Sequence, residues 1–404
     1  MPEVFFFVML MLQLPATAIL LSRLIKGPTR QPPLKPDLPT PELLGKVTVV
    51  VPTLNEAERI TPCLIGLSRQ SYEVREIIVV DSNSTDDTQY LVKTTAKKDP
   101  RFRLITDDPL PPGWVGRPWA LHTGFLASSP KSEWFLGVDA DTQPDPGLVA
   151  SLVKKAEAEA YDLISLSPRF ILKYPGELWL QPALLITLVY RFGPTGTGGQ
   201  TPERVMANGQ CFLCRRSVLS KMGGYISAKG SFCDDVTLAR NIAGEGYKVG
   251  FLDGAQVLQV RMYEGMMETW REWGRSLDLK DASPTAQIWS DLWLLLATQG
   301  LPLLVVLGYL LFGLPISISV SAKFLLFGLN LFLLLIRFAL LLGIAPSYDF
   351  SKAQASWLFL FSPLADPLAV LRIFLSAMKT PTKWRGRVYG ENPVVSRSQE
   401  SFWE

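Results

Sequence analysis

The chain has 404 residues, 48% of them hydrophobic, and a formal net charge of +3. So small a charge gives no electrostatic footprint for nucleic acid. Basic residues instead sit beside apolar stretches at both ends, which is a membrane-topology signal. The four cysteines, Cys63, Cys211, Cys214 and Cys233, form no regular disulfide framework. Cys211 and Cys214 make a C-x-x-C without the second Cys/His pair of a zinc site, and read as buried packing. The single histidine, His122, has nothing around it to build a catalytic triad on, and reads as structural.

In chain order, residues 4–25 form one apolar run long enough to cross a bilayer. Arg23, Lys26, Arg30 and Lys35 lie at its carboxyl end and beyond it, and no small-residue cleavage site is evident. An uncleaved transmembrane helix over 1–26, ending in the cytoplasm, fits this pattern. The proline-rich stretch 27–45 then reads as an extended tether.

From Lys46 the pattern changes. VTVVVP, EIIVVD, RFRLIT and WFLGVD are short β-rich runs separated by helix-length polar segments, the alternation of βαβ units on a parallel sheet. Ligands of such sheets bind beyond the carboxyl ends of the strands, where Asn55, Asp81 and Asp139 fall. Residues 176–200 read as a proline-broken interfacial helix followed by a flexible GPTGTGG loop able to gate a site.

Three acidic signals carry the chemistry. Asp81 in VVDSNSTDDT stands at a strand end before small polar residues, which suits a base and ribose contact and equally a helix N-cap. Asp139 and Asp141 in GVDADT can share one divalent cation with a diphosphate, since hard cations take oxygen ligands and keep substrate phosphates in their shell. In CDDVTLAR, one carboxylate of Asp234 and Asp235 can take a proton from an acceptor hydroxyl. GWVGRPWA offers glycines for close backbone approach, Arg117 for phosphate oxygens and Trp114 as an aromatic wall.

Beyond this domain, 265–288 is read as an amphipathic interfacial helix: Met266, Met267, Trp270, Trp273 and Leu277 share one side. Residues 289–378 form a membrane region, with long apolar stretches at 291–316 and 318–345 and a third at 353–378 broken by SPLADP. Three crossings would place the basic tail 379–404 outside, against the positive-inside tendency. Two crossings plus a hairpin broken at Pro363, Asp366 and Pro367 keep that tail cytoplasmic.

Taken together, VVVPTLNE, VVDSNSTDDT, GWVGRPWA, DAD and DDVTLAR resemble the family 2 glycosyltransferases over residues 46–264. The membrane layout is similar to the branch that glycosylates lipids, and the GW-x-G-x-x-WA block and LADP…WRGR tail to its bacterial hopanoid and cyanobacterial carotenoid 2'-O-glycosyltransferase members. The resemblance implies an α/β, Rossmann-like GT-A fold with a mostly parallel mixed sheet. It implies that Pro52, Asn55 and Glu56 line the nucleotide pocket, that Asp81 contacts the base, that Asp139 and Asp141 bind Mg2+ or Mn2+ and the diphosphate, and that Asp235 is the catalytic base beside Asp234. Asp234 stands where Glu is usual and Arg117 where Lys is common. The Q-x-x-R-W motif of processive relatives is replaced by ETWREWGRS, with Trp270, Arg271, Trp273 and Arg275 as candidates for its role. The implied reaction is inverting transfer from a nucleotide-sugar, UDP-linked for preference, to the hydroxyl of a membrane lipid, a hydroxy-carotenoid first. Hopanoid or ceramide glycosylation and nucleotidyl transfer are alternatives, though PTLNEAER lacks a nucleotidyltransferase's glycine-rich loop.

Overall fold

A computed structural model describes residues 2–273, 277, 279–312 and 320–379, and the pairs 383–384 and 387–388. Its centre is a seven-stranded sheet of order β3-β2-β1-β4-β8-β6-β9. The first four strands are β1 (Val47–Thr53), β2 (Val74–Asp81), β3 (Phe102–Thr106) and β4 (Trp134–Val138). After the short β5 (Thr142–Pro144) come β6 (Leu163–Ser167), β7 (Arg169–Ile171), β8 (Cys211–Arg215) and β9 (Val249–Asp253). Strand β1 pairs in parallel with both β2 and β4, while β8 runs antiparallel to β4 and β6. The sheet is mixed and mostly parallel.

Strand β1 is buried on both faces, so its run of valines suits a central strand. Val47, Val49 and Val51 face one core with Ile60, Leu67, Leu148 and Leu152 from helices Ile60–Ser68 and Leu148–Ala158. Val50, Ile78 and Val80 face the other, with Leu121 and Phe125 from helix Gly116–Ala127 and Leu238 and Ile242 from helix Asp234–Gly244. Because side chains alternate along a strand, this register brings the carboxyl ends of β1, β2 and β4 to one edge.

A second, four-stranded sheet orders β11-β7-β10-β5, with β10 at Leu258–Val260 and β11 at Tyr348–Asp349. Strand β11 lies beyond two of the long apolar helices, and its pairing with β7 ties the membrane-like part of the chain to the α/β domain. Among the described residues, four helical segments are long and apolar enough to cross a membrane: Phe6–Thr29, Thr285–Phe312, Lys323–Ser347 and Ser356–Met378.

Two segments differ from their sequence reading. Helix Pro175–Phe192 is not interfacial but buried, with Leu178, Leu184, Ile186 and Tyr190 packed against Leu292, Leu333, Val370 and Ile373. Its apolar residues run nearly all round, which is the pattern of an enclosed helix. The stretch 265–288 is not one amphipathic helix. An α-helical turn at Gly265–Glu268 passes into a π-helical turn at Thr269–Trp273; Leu279 is left-handed, and a new helix starts at Thr285.

The last apolar segment is bent. Ser356–Ala365 is 3-10 helical, Asp366–Met378 is α-helical, and Pro367 opens the second part. It leaves from β11 and reaches its bend beside Gln299 and Arg337, which donate to Asp366 at 3.0 and 2.8 Å. It then returns, with Arg372 Nε donating to the Trp270 carbonyl at 2.6 Å and Phe374 meeting Trp289. Both ends thus lie beside the α/β domain.

Candidate functional site

Asp139 and Asp141 follow β4, and Asp234 and Asp235 open helix Asp234–Gly244. Arg117, in the first turn of helix Gly116–Ala127, joins the two pairs. Its Nε donates to Asp139 at 2.9 Å, its Nη1 to Asp234, and its Nη2 to the Gly209 carbonyl at 2.8 Å. Gly209 is required for this approach, because a Cβ there would stand 2.3 Å from Arg117 Nη2. Arg117 is therefore a clamp between carboxylates, on the wall of the cavity. The acidic site carries its own counter-charge, and the planar guanidinium spans it where a lysine could hold one partner.

The electrostatics separate the four carboxylates. Burial, and then the charge of Asp139, push Asp141 up to about 7, against the pull of Arg59. Burial also raises Asp139, and Arg117 opposes it. Burial, and then Asp234, push Asp235 up to about 6, again opposed by Arg117. Arg117 holds both Asp139 and Asp234 in ion pairs, whereas Asp235 faces the cavity without one among the described residues.

The carboxylates suit a cation. Asp141 Oδ1 is buried with no hydrogen-bond partner, an acceptor left open beside Asp139. No third carboxylate, histidine or cysteine completes a metal cage among the described residues. Two oxygen-donor side chains and an incomplete shell match a hard cation that shares its coordination with substrate phosphates.

The remaining expected residues divide. Asn55 and Glu56 line the cavity, in the loop after β1. Asn55 is left-handed at φ 54, and its Oδ1 accepts from the Thr85 amide at 2.9 Å, fixing two loops against each other. Asp81 and Pro52 are not among the lining residues. Asp81 is 1% exposed and accepts from Thr53, the Ser84 amide and Gln89, so its carboxylate braces the loop. Pro52 sits in the β1–β2 ladder opposite Val80. Trp114 is not among the lining residues and packs against Trp119 and His122 at centroid distances of 5.1 and 5.0 Å. His122 is buried there, and burial lowers its pKa towards the neutral form, as befits a structural role.

Of the four aromatic and basic candidates near 270, Trp273 lines the cavity and packs on Phe170 at 5.8 Å. Trp270 and Arg271 lie off it and offer their carbonyls to Arg372, and Arg275 is outside the described residues. Cys211 and Cys214 are buried thiols on β8. Arg59 and Asp86 are among the lining residues that were not anticipated. Arg59 donates to the Met262 carbonyl and to Glu268, both at 2.9 Å, and acts electrostatically on Asp141. Asp86 accepts from the Ala57 amide at 3.0 Å. Both stand within the two motifs already singled out, four residues past Asn55 and five past Asp81, so proximity to the motif was the available signal.

These residues share one cavity of about 1910 Å³, well above the roughly 300–1,000 Å³ of an ordinary small-ligand pocket. From the carboxylates it extends to an apolar wall of Leu185, Leu188 and Phe192 on helix Pro175–Phe192 and of Leu340, Gly343 and Ile344 on helix Val320–Ile344.

Residues 48–223 match the model of the glycosyl transferase family 2. Two curated relatives are similar to this chain. The probable glycosyltransferase YdaM of Bacillus subtilis is 26% identical over 57% of this chain and 53% of its own length. The 4,4'-diaponeurosporenoate glycosyltransferase of Staphylococcus haemolyticus is 25% identical over 61% of this chain and 65% of its own. The chain thus spans 53% to 65% of the length of these relatives. Among solved structures, the mannosyltransferase PcManGT of Pyrobaculum calidifontis, in complex with GDP-Man and Mn2+, superposes with a TM-score of 0.54. It is 20% identical and covers 92% of this chain and 98% of its own. The strand order and this superposition show the GT-A fold, and residues 48–223 carry the match to the glycosyl transferase family 2.

Proposed function

We propose that this chain transfers a sugar from a nucleotide-sugar to the hydroxyl of a membrane lipid, with inversion and with a divalent cation. The observation that carries the reading is the continuous cavity, polar at Asp139, Asp141 and Asp235 and apolar where it meets the enclosed helix Pro175–Phe192 and the membrane-length segment Lys323–Ser347. A soluble acceptor has no use for that apolar wall, whereas a lipid chain can lie along it while its hydroxyl reaches the carboxylates.

Asp139 and Asp141 hold the cation, Mg2+ or Mn2+. When bound, it neutralises charge on the nucleoside diphosphate leaving group. Arg117 fixes Asp139 in position and keeps Asp234 occupied. Asp235 accepts the acceptor proton as the oxygen attacks the anomeric carbon from the face opposite the diphosphate. Its carboxyl, raised to about 6, is a stronger base than an ordinary aspartate yet is ionised at neutral pH. A single displacement inverts the configuration.

A hydroxy-carotenoid is the first acceptor to test, since a diaponeurosporenoate glycosyltransferase is among the similar proteins. The bent segment 356–378, with both ends beside the α/β domain, favours a domain and tail on one side. The basic residues after the first apolar helix make that side the cytoplasm. Full-length protein is assayed with labelled nucleotide-sugar and lipid alcohols. Asp235→Asn is expected to abolish transfer while nucleotide binding persists, and retained turnover overturns the assignment of the base.

A further inference from the structure

We propose that a cluster of arginines at the junction of the α/β domain and the long helices is a binding site for the anionic headgroup of a bilayer lipid. It lies around Phe192, outside the carboxylate constellation. Arg191, Arg204 and Arg240 stand over this ring, with guanidinium carbons 5.2, 5.9 and 5.7 Å from its centroid. Arg23 joins them from the last turn of the first helix, donating to the Tyr190 carbonyl at 2.9 Å and lying within charge–charge range of Arg204.

Arg204 pairs with Asp291 at 2.7 Å. Asp291 belongs to helix Thr285–Leu295, so the cluster lies between the end of one membrane-length helix and the start of another. Trp289 on the same helix is 49% exposed, an aromatic side chain suited to headgroup depth.

Arg240 supplies the second observation. It is 6% exposed. Its Nε donates to the Val205 carbonyl at 3.0 Å, and its Nη1 to Ala282 and Ser283 at 2.6 and 2.9 Å. Its Nη2 has no hydrogen-bond partner among the described residues. Burial first, and then repulsion by Arg204, lower its pKa to about 10, against the nearby Cys233, Asp291 and Glu203. A buried donor left unsatisfied beside neighbouring guanidinium groups is what an anion would fill. Basic pockets between membrane helices on one side of a bilayer take phosphate-bearing headgroups in this way, and arginine forks suit their oxygens. Arg23 and Arg204, the more exposed members, form the entrance, with Arg240 beneath.

The test uses the full chain in phosphatidylcholine nanodiscs, with relative binding of brominated phosphatidylglycerol and brominated phosphatidylcholine read by tryptophan quenching. Phosphatidylglycerol is expected to bind more tightly, and its preference to fall about fivefold for each of Arg23→Gln and Arg204→Gln. Arg103→Gln, in the α/β domain, leaves the preference unchanged. Equal binding of the two lipids by the native chain, or a preference that survives the double substitution, overturns the site. Displacement of phosphatidylglycerol by millimolar inorganic phosphate also overturns it, in favour of a free-anion site. If the substitutions unfold the chain, Arg204→Lys decides: it keeps the charge but loses the fork, and an undiminished preference refutes headgroup recognition by the guanidinium. None of these readouts depends on sugar transfer.

Discussion

Arg117 shows how one residue organises the chemistry. It ties Asp139 to Asp234 and to the Gly209 carbonyl, so the Asp139–Asp141 and Asp234–Asp235 pairs are held as a unit. Gly209→Ala puts a methyl group into this guanidinium and is expected to cost at least tenfold in kcat while the fold survives, checked by steady-state transfer rates and thermal melting. The pH profile tests Asp235. A base with a carboxyl raised to about 6 must be ionised to act, so kcat/KM at saturating cation rises with pH up to about 6 and levels above it. A profile flat down to pH 4.5, where an ordinary aspartate is still largely ionised, contradicts the assignment. The carboxylates themselves were legible in the sequence because strand-end position is a pattern. The pairing of Arg117 was not, because an arginine in a glycine turn serves a phosphate or a carboxylate equally well until the fold selects a partner.

Among the elements, the bent segment 356–378 depends on one buried pair. Arg337 and Asp366 have side chains 2% exposed and meet at 2.8 Å, with Ser362 accepting from Arg337 at 3.2 Å. Removing one member leaves the other buried and uncompensated. Asp366→Leu is expected to destabilise the protein by about 3–5 kcal/mol, while Arg337→Leu with Asp366→Leu recovers most of it. Denaturation of the three variants in one detergent checks this. The apolar run and its proline break were visible in the sequence. The partner of Asp366 was not, since Arg337 lies 29 residues earlier on another helix.

At the scale of the whole molecule, helix Pro175–Phe192 and strand β11 join the α/β domain to the membrane-like helices, and the cavity follows that junction. Leu188→Trp or Ile344→Trp should fill its apolar end. Transfer to lipid is expected to fall at least tenfold while cation-dependent nucleotide binding is kept, measured by titration of the nucleotide. The single-sided layout is checked with a membrane-impermeant maleimide. All four native cysteines are buried, so exposed Lys97→Cys and Ser351→Cys should label from the same face of sealed vesicles. Labelling from opposite faces rejects it.

The sequence by itself determined the strand alternation, the acidic motifs and the apolar spans, because each is a local pattern with a fixed physical period or length. Only the tertiary structure decided which acid is clamped and which is free, that Asp81 braces a loop, and that the helix after Tyr174 is enclosed. Those outcomes depend on which distant surfaces meet, and burial by a partner far along the chain leaves no mark at the residue it covers.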